Sequence, residues 1–383
     1  MPDVFKIADI LVSHAVRAHK DEVALIVYGG SYAKGTASPS SDLDIYYIPD
    51  EGKAESLSSQ FILDGLPYDF WGVPWKFAED IANARSRRPW AVSASLIADT
   101  KVLYHRSQAD LERFKALKAR IAELTRPESR RFMVERALDE FKYTLFQLGQ
   151  LRLAAGDGDA AGVRWASWEF VCRAVNCLAL VNQTYFSKGW GANWSQILAL
   201  PQRPVGLEEM MRNIITPRDT ESTFKAADRL AREVRGILLA AQASLAEPLE
   251  ASEVFKDFYY FIFEYQNKVL AACERGDVTV GFAAFHMQEV ICQLMNKVEN
   301  GFYGTDFNLL GEYMGGYTRA GFPDLSAPAS RGDLDELARR VQQLDERARE
   351  WFGSHAIDLG LLDSEQALRQ FLERPCVMES STC

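Results

Sequence analysis

The chain is poor in the residues that build metal frameworks and redox centres. Of 383 residues, six are cysteine and five histidine. Cys172, Cys177, Cys273, Cys292, Cys376 and Cys383 are scattered, with no Cys-x-x-Cys pair and no matching histidines, which argues against a zinc or disulfide framework and for a reducing, cytoplasmic setting. Four of them fall in apolar helical patterns, where a thiol behaves as a small hydrophobe. His14, His19, His105, His286 and His355 show no ligand spacing, and none is placed like a triad member. A long Lys/Arg run is also missing, and the formal charge is -10. A partner held mainly through phosphate contacts needs concentrated positive charge, so nucleic acid is an unfavoured partner. No uninterrupted apolar run reaches membrane-spanning length, and no membrane partner is expected. The first residues, Met1 to His19, carry Asp3, Lys6, Asp9 and Arg17 among apolar positions, the pattern of an amphipathic helix rather than a signal peptide.

What is present divides into two styles. In the first hundred residues, short β-branched runs alternate with helical patterns. Val23–Tyr28 reads as a buried strand ending at Gly29-Gly30, Asp42–Ile48 as a second strand, Tyr68–Val73 as a third and Lys101–Tyr104 as a fourth. A helical stretch begins near Trp75, and Ser38–Ser41 is a loop by composition. From about Gln108 the period turns helical. Arg130–Leu153, Val163–Phe186, Phe224–Leu245, Val254–Cys273, Phe282–Gly301 and Leu334–Phe352 read as amphipathic helices. Leu153–Asp159 is echoed by Leu270–Asp277, and Trp168–Cys172 by Gln288–Cys292, a weak internal repeat that points to a duplicated bundle or to two alanine-rich hairpins alike by chance. Pro323–Ser330 reads as an exposed loop and the tail from Pro375 as frayed. The expected class is α+β: an α/β domain with a small mixed sheet over residues 1–107, a helical bundle over 108–250, and a second bundle over 251–383.

The chemistry concentrates between Val27 and Ile45. Gly29-Gly30 permits close approach and unusual backbone angles. Ser31 follows at the expected start of a helix, where free N–H groups suit phosphate oxygens. Asp42 and Asp44 are two apart in a strand, so their carboxylates share a face while Leu43 and Ile45 point to the core. Like charges so placed repel unless a cation lies between them, and carboxylate oxygens suit hard cations such as magnesium. Asp69 is a third acid, in an otherwise apolar strand. If that strand lies beside the second, three carboxylates converge, a set able to hold two magnesium ions about a triphosphate.

Gly30-Ser31, ten residues, and then Asp42-Leu43-Asp44 resembles the signature of the DNA polymerase β-like nucleotidyltransferase superfamily, with Asp69 at its third carboxylate. The likeness covers residues 1–107, and the helical remainder is more loosely similar to the C-terminal bundles of kanamycin and lincosamide nucleotidyltransferases. It implies that Gly30 and Ser31 bind the β- and γ-phosphates, that Asp42 and Asp44 hold two Mg2+ ions (Mn2+ being an alternative), and that Asp69 holds the catalytic metal or assists deprotonation. Ser41 would steady the acidic loop, and Lys34 would contact the triphosphate or else be a surface lysine. Arg85, Arg87 and Arg88 read first as a solvated helix end. Some relatives recruit a helical-domain glutamate as general base. The candidates are Glu135 and Glu140, which lead, then Glu169 and Glu264.

The expected reaction is transfer of a nucleoside monophosphate, with ATP the default nucleoside triphosphate, to a hydroxyl, releasing pyrophosphate. Residues 1–125 hold 15 Lys/Arg against 17 Asp/Glu, so about -8 of the total charge lies in the helical remainder. That favours a small cationic or neutral hydroxyl acceptor bound against the helices, such as an aminoglycoside-like antibiotic or a metabolite. Protein adenylylation is the second reading, RNA the third, and a catalytically silent nucleotide-binding module the rival of another class. Trp165, Trp168, Trp190 and Trp194 read as core packing before an acceptor wall, and the aromatic run Phe258–Tyr265 as bundle core.

Overall fold

A computed structural model describes residues 4–38, 41–50, 57–216, 219–304 and 308–373. Cys376, Cys383, the tail from Pro375 and the middle of the Ser38–Ser41 loop lie outside the described residues. The chain divides into two compact units, 1–244 and 245–383.

The first unit opens with helix α1 (Val4–Ala18) and strand β1 (Val23–Tyr28). One turn of helix, α2 (Gly30–Lys34), follows directly, then β2 (Leu43–Pro49), β3 (Ser59–Leu63) and β4 (Leu66–Gly72). Three short helices, α3 (Trp75–Ala82), α4 (Trp90–Ser93) and α5 (Ser95–Ala98), lead to β5 (Lys101–His105). The sheet order is β3-β4-β2-β1-β5. Only β2 and β4 pair in parallel, so the sheet is mixed as expected. The sequence reading missed β3. Its five residues face solvent except for the partly covered Phe61, so no apolar alternation marks it.

Strand alternation fixes both faces. Leu43, Ile45 and Tyr47 of β2 join Tyr68 and Phe70 of β4 and the Val4, Ala8 and Ala15 stripe of α1 in one core cluster. On the opposite face Tyr46 is buried and its hydroxyl donates to the Leu96 carbonyl in α5, while Asp44, one step nearer the strand start, is exposed. The same face of the sheet is therefore closed at one end and open at the other.

Helix α6 (Gln108–Leu124) packs against α3, α5 and the sheet. Its start is fixed by Ser107, whose side chain accepts from the Asp110 N–H. The long hairpin α7 (Arg130–Gly156) and α8 (Ala160–Val181) comes next, turned at Asp157–Asp159, with Asp159 capping α8 through the N–H groups of Ala161 and Gly162. From Phe170 to Val181 nearly every residue of α8 is buried, because α4, α7, α10 (Leu207–Ile215) and α11 (Thr220–Ala243) all pack on it. Short α9 (Trp194–Leu198) precedes α10.

The second unit is helical among its described residues. Its hairpin of Tyr259–Glu274 and Gly281–Asn300 packs with Leu334–Ser354 around Phe255, Ile262, Met287, Ile291 and Leu344. An 18-residue window within Val278–Asn300 has a mean hydropathy of 1.2, enough by length and composition to cross a membrane, yet Ala284, Met287, Ile291 and Cys292 are core residues of this unit. Pro323–Ser330 is not the exposed loop that its composition suggested. It contains most of a short helix, Ser326–Arg331, with Leu325 and Pro328 buried, because the Leu325 N–H donates to the buried Gln288 side chain. The aromatic run is split too: Tyr259 is core, whereas Tyr260 and Phe263 are exposed.

Candidate active site

Every candidate phosphate or metal ligand of the first hundred residues sits at one end of the sheet. Tyr28 at the end of β1 pairs with Ile45 near the start of β2, and the Gly29 N–H donates to the Asp44 carbonyl at 2.8 Å. Parallel pairing of β2 with β4 puts Asp44 directly opposite Asp69. Adjacent strands are about 5 Å apart, so the two carboxylates are neighbours on one face. Asp42 stands just before β2, exposed like the other two. Gln60 of β3 is opposite Asp69 and donates to its Oδ1 at 3.3 Å.

The electrostatics follow from this crowding. Asp44 is held above the usual carboxylate range, first by loss of solvation at the root of the strand, then by the negative charge of Asp42, with Asp69 adding and Lys34 opposing. Among the described residues no group of three acidic, histidine or cysteine side chains is arranged to hold a metal ion. The donors nevertheless fit a hard cation by chemistry: all are carboxylates, all reach solvent on the same side, and the negative charge around Asp44 is opposed by one lysine.

Gly30 is glycine for two local reasons. Its φ of +61° lies in the left-handed region, and a Cβ there would overlap the Asp44 carboxylate. Glycine thus makes room for the acid. The helix after it is a single turn without a side-chain cap, so the helix dipole expected at Ser31 is slight. Ser41 closes the loop before the acids: its Oγ accepts from the Ser38 N–H at 2.8 Å, and its own N–H donates to the Ser38 carbonyl at 3.0 Å.

Three cavities surround this end of the sheet. One of about 840 Å³ is lined by Gly30, Ser31, Lys34, Lys101 and Lys188. A second, about 470 Å³, lies over the open face of β2 and β4, lined by Asp44, Tyr46, Trp71, Arg88 and Trp190. A third, about 310 Å³, lies on the β3–β4 side with Asp42, Asp69, Gln60 and Phe61. Lys34 borders the first two, donates to the Ser187 carbonyl and lies 3.7 Å from Asp99. Arg88, read in the sequence as a solvated helix end, borders the second cavity while its guanidinium lies over Phe77.

The glutamates proposed as general base are placed otherwise. Glu140 is 7% exposed and receives a 3.0 Å bond from Arg173 Nη1, which also donates to the Arg87 carbonyl. Burial pushes its carboxyl up, and Arg173 with Asn176 pulls it back. Its geometry is that of a brace: with Asn176, whose Oδ1 accepts from the Ala91 N–H at 2.8 Å, it ties α7 and α8 to the Arg87–Ala91 segment. Glu135 is exposed on α7, Glu169 is partly covered on α8, and Glu264 pairs with Lys268 in the second unit. None of the four lines the three cavities. Of the tryptophans, Trp190 reaches the site, Trp165 is exposed, and Trp194 lies under Arg212. Within Ser187–Ala192 the sequence reading singled out Trp190 alone, as core packing before an acceptor wall, and passed over Lys188, because a Gly-rich loop between helices carries no periodic signal. Two lysines bordering the same cavity, Lys34 and Lys188, come from positions 154 apart in the chain.

A mixed sheet with Gly-Gly-Ser at the end of one strand and Asp-x-Asp on its neighbour defines a nucleotidyltransferase domain. Residues 12–143 match the nucleotidyltransferase domain family, and residues 111–243 match the KNTase C-terminal domain. Residues 12–143 are thus a DNA polymerase β-like nucleotidyltransferase domain, and the chain is a nucleotidyltransferase enzyme. Among solved structures it is similar to a nucleotidyltransferase-like protein from Exiguobacterium sibiricum 255-15, at 10% identity and a TM-score of 0.37, over 63% of this chain and 77% of that one. No curated protein matches the sequence.

Proposed function

We propose that the enzyme transfers a nucleoside monophosphate from a magnesium-bound nucleoside triphosphate, ATP by default, to the hydroxyl of a small molecule such as an aminoglycoside-like antibiotic or a metabolite. The observation that carries this reading is the register of β2 on β4, which sets Asp44 opposite Asp69 and beside Gly30. Asp42, Asp44 and Asp69 would hold the metal. When bound, magnesium neutralises the triphosphate and stabilises the attacking and leaving oxygens. The chain's own part is positioning: backbone N–H groups at Gly30 and Ser31 orient the terminal phosphates, and Lys34 adds positive charge beside them.

A second acceptor class has its own support. β3 is an edge strand beside Asp69, with Ile62 77% exposed and Leu63 39% exposed. An open edge of that kind pairs readily with an extended peptide, the geometry in which a protein hydroxyl would be offered. Incubation with labelled nucleoside triphosphates, Mg2+ and a panel of aminosugar, polyol and protein acceptors, with pyrophosphate release followed, separates the two classes. Pyrophosphate release without label transfer to any hydroxyl compound, small or protein, would count against both.

A further inference from the structure

Displacement at the α-phosphorus of a nucleotide brings three groups together. The acceptor oxygen and the leaving pyrophosphate lie in line on opposite sides, and the nucleoside projects to one side. The three cavities have that arrangement across the sheet. The 840 Å³ cavity lies just past the end of β1 and at the first residue of β5, the 310 Å³ groove lies on β3 and β4 with Asp69 in its wall, and Asp44 stands on β2 between them. The remaining cavity lies over the face of β2 and β4.

We propose that the loop Ser187–Ala192 completes the donor site: Lys188 binds the departing pyrophosphate, Trp190 stacks with Trp71 about the nucleoside base, and the β3–β4 groove is left to the acceptor. This rests on the nucleotidyl-transfer reading above. In the reaction the acceptor oxygen bonds to the α-phosphorus as the bond from that phosphorus to the bridging oxygen of the β-phosphate breaks. The electron pair leaves with pyrophosphate, and the acceptor proton passes to Asp69.

Charge supports the first assignment. In a chain of net charge -10, one cavity gathers Lys34, Lys101 and Lys188 against a single acid, Asp99. Asp99 is already engaged by Lys34 and by the Tyr185 hydroxyl at 3.0 Å, so Lys101 and Lys188, both exposed, are uncompensated within the cavity. Three lysines around Gly30 and Ser31 suit a polyanion. The loop is held in place for the purpose. Lys34 donates to the Ser187 carbonyl, Gln196 Nε2 donates to Ser187 Oγ at 2.9 Å, and the Lys188 N–H donates to Gln196 Oε1 at 3.3 Å.

Shape supports the second. Glycines flank Trp190 on both sides, and Gly191 has a φ of +86°. That turn lets residues two apart, Lys188 and Trp190, border different cavities. The 470 Å³ chamber has two indole walls, Trp71 and Trp190, with Arg88 at its edge. A planar base gains affinity by stacking between aromatic faces. The sequence reading put the acceptor against the helices; here the helical loop meets the donor instead.

The test is calorimetric binding to the full chain with Mg2+, using ATP, AMP and adenosine as probes. Lys188→Ala should weaken ATP by about tenfold, the loss of one charge-assisted contact, and leave AMP within about twofold. Trp190→Ala should weaken all three probes alike, by about tenfold, with Trp190→Phe largely restoring them. Equal effects of Lys188→Ala on ATP and AMP, or no effect on either, would overturn the pyrophosphate assignment. Unchanged adenosine and AMP affinity in Trp190→Ala would overturn the base assignment. If the wild-type chain bound no triphosphate at all, the nucleotidyl-transfer reading itself would fall; wild-type binding with unaffected variants removes only the loop's role.

Discussion

The two units treat their buried and crowded polar groups in opposite ways. In the first, Asp44 is pushed above the carboxylate range by lost solvation and by Asp42, Gly30 adopts a left-handed backbone to clear it, and Glu140 is buried against Arg173. In the second, several buried polar groups are satisfied within the unit itself. Gln288 accepts from the N–H groups of Leu325 and Ser326, Asn296 donates to the Phe302 carbonyl, and Asp345 receives Tyr259 and Arg349. The contrast is clearest at Asn176 and Asn296, each four residues after the cysteine that ends its copy of the weak repeat. Asn176 reaches out of its hairpin to the Ala91 N–H beside the active site, whereas Asn296 bonds the turn that follows its own helix. Asn176 and Glu140 brace the segment beside the site, whereas Gln288, Asn296 and Asp345 hold the second unit's own fold.

That contrast can be tested by where substitutions act. Asp44→Asn should lower transfer by about 10³-fold or more, because it removes a negative charge that would hold the metal. The folded protein should melt no lower than the wild type, since the substitution relieves repulsion. Steady-state rates and a melting curve on the same preparation decide it; substantial turnover in the mutant would remove Asp44 from the site.

Glu140→Gln separates a base from a brace. As a brace, its loss leaves Arg173 without its buried partner and costs about 3 kcal/mol, read by urea unfolding. A base would instead give a rate loss with the unfolding midpoint unmoved. Gln288→Ala provides the counterpart in the second unit. The buried Leu325 N–H loses its acceptor, for roughly 2 kcal/mol, while Ser326 keeps its bond to Asp324 and transfer per folded molecule stays at the wild-type value. A rate loss there without destabilisation would break the division between the units.

The smallest effect is in pH. Asp44 has a raised folded pKa, so its ionisation opposes folding: the penalty is absent below the unfolded value near 3.8 and complete above the folded one. Asp44→Asn should therefore stabilise the metal-free protein at neutral pH, with the gain fading as pH falls through that window. Asp324 has the opposite sign. Burial alone would raise it, but the N–H and hydroxyl of Ser326 hold it below the ordinary value of 3.8. Its stabilisation is present above the unfolded value and disappears as pH falls through the folded one, so Asp324→Asn should destabilise at neutral pH and become neutral in acid. Melting temperatures of both variants between pH 3 and pH 7 check the signs.

Much of this was legible in residue order. β1 was read at its true bounds, and the acid-bearing strand within a residue, because β-branched runs and period-two alternation are local. The ends of α7 and α8 were placed within a few residues, since apolar spacing and the turn at Asp157–Asp159 are local as well. Solvent-facing β3 and the helix at Ser326 were not legible, the first lacking an apolar face and the second drawing its stability from Gln288, 37 residues away.

By itself, the sequence determined that Asp44 lies in a strand with Asp42 two residues before it, that a glycine pair ends the preceding strand, and that helices follow, because each depends on the geometry of a few consecutive residues. Tertiary structure alone decided that Asp69 stands opposite Asp44, that Glu140 meets Arg173 rather than a cavity, and that Lys188 and Trp190 arrive beside Gly30. Those depend on which strand pairs with which and on how a long hairpin packs, and the energies that choose among such pairings are summed over the whole core.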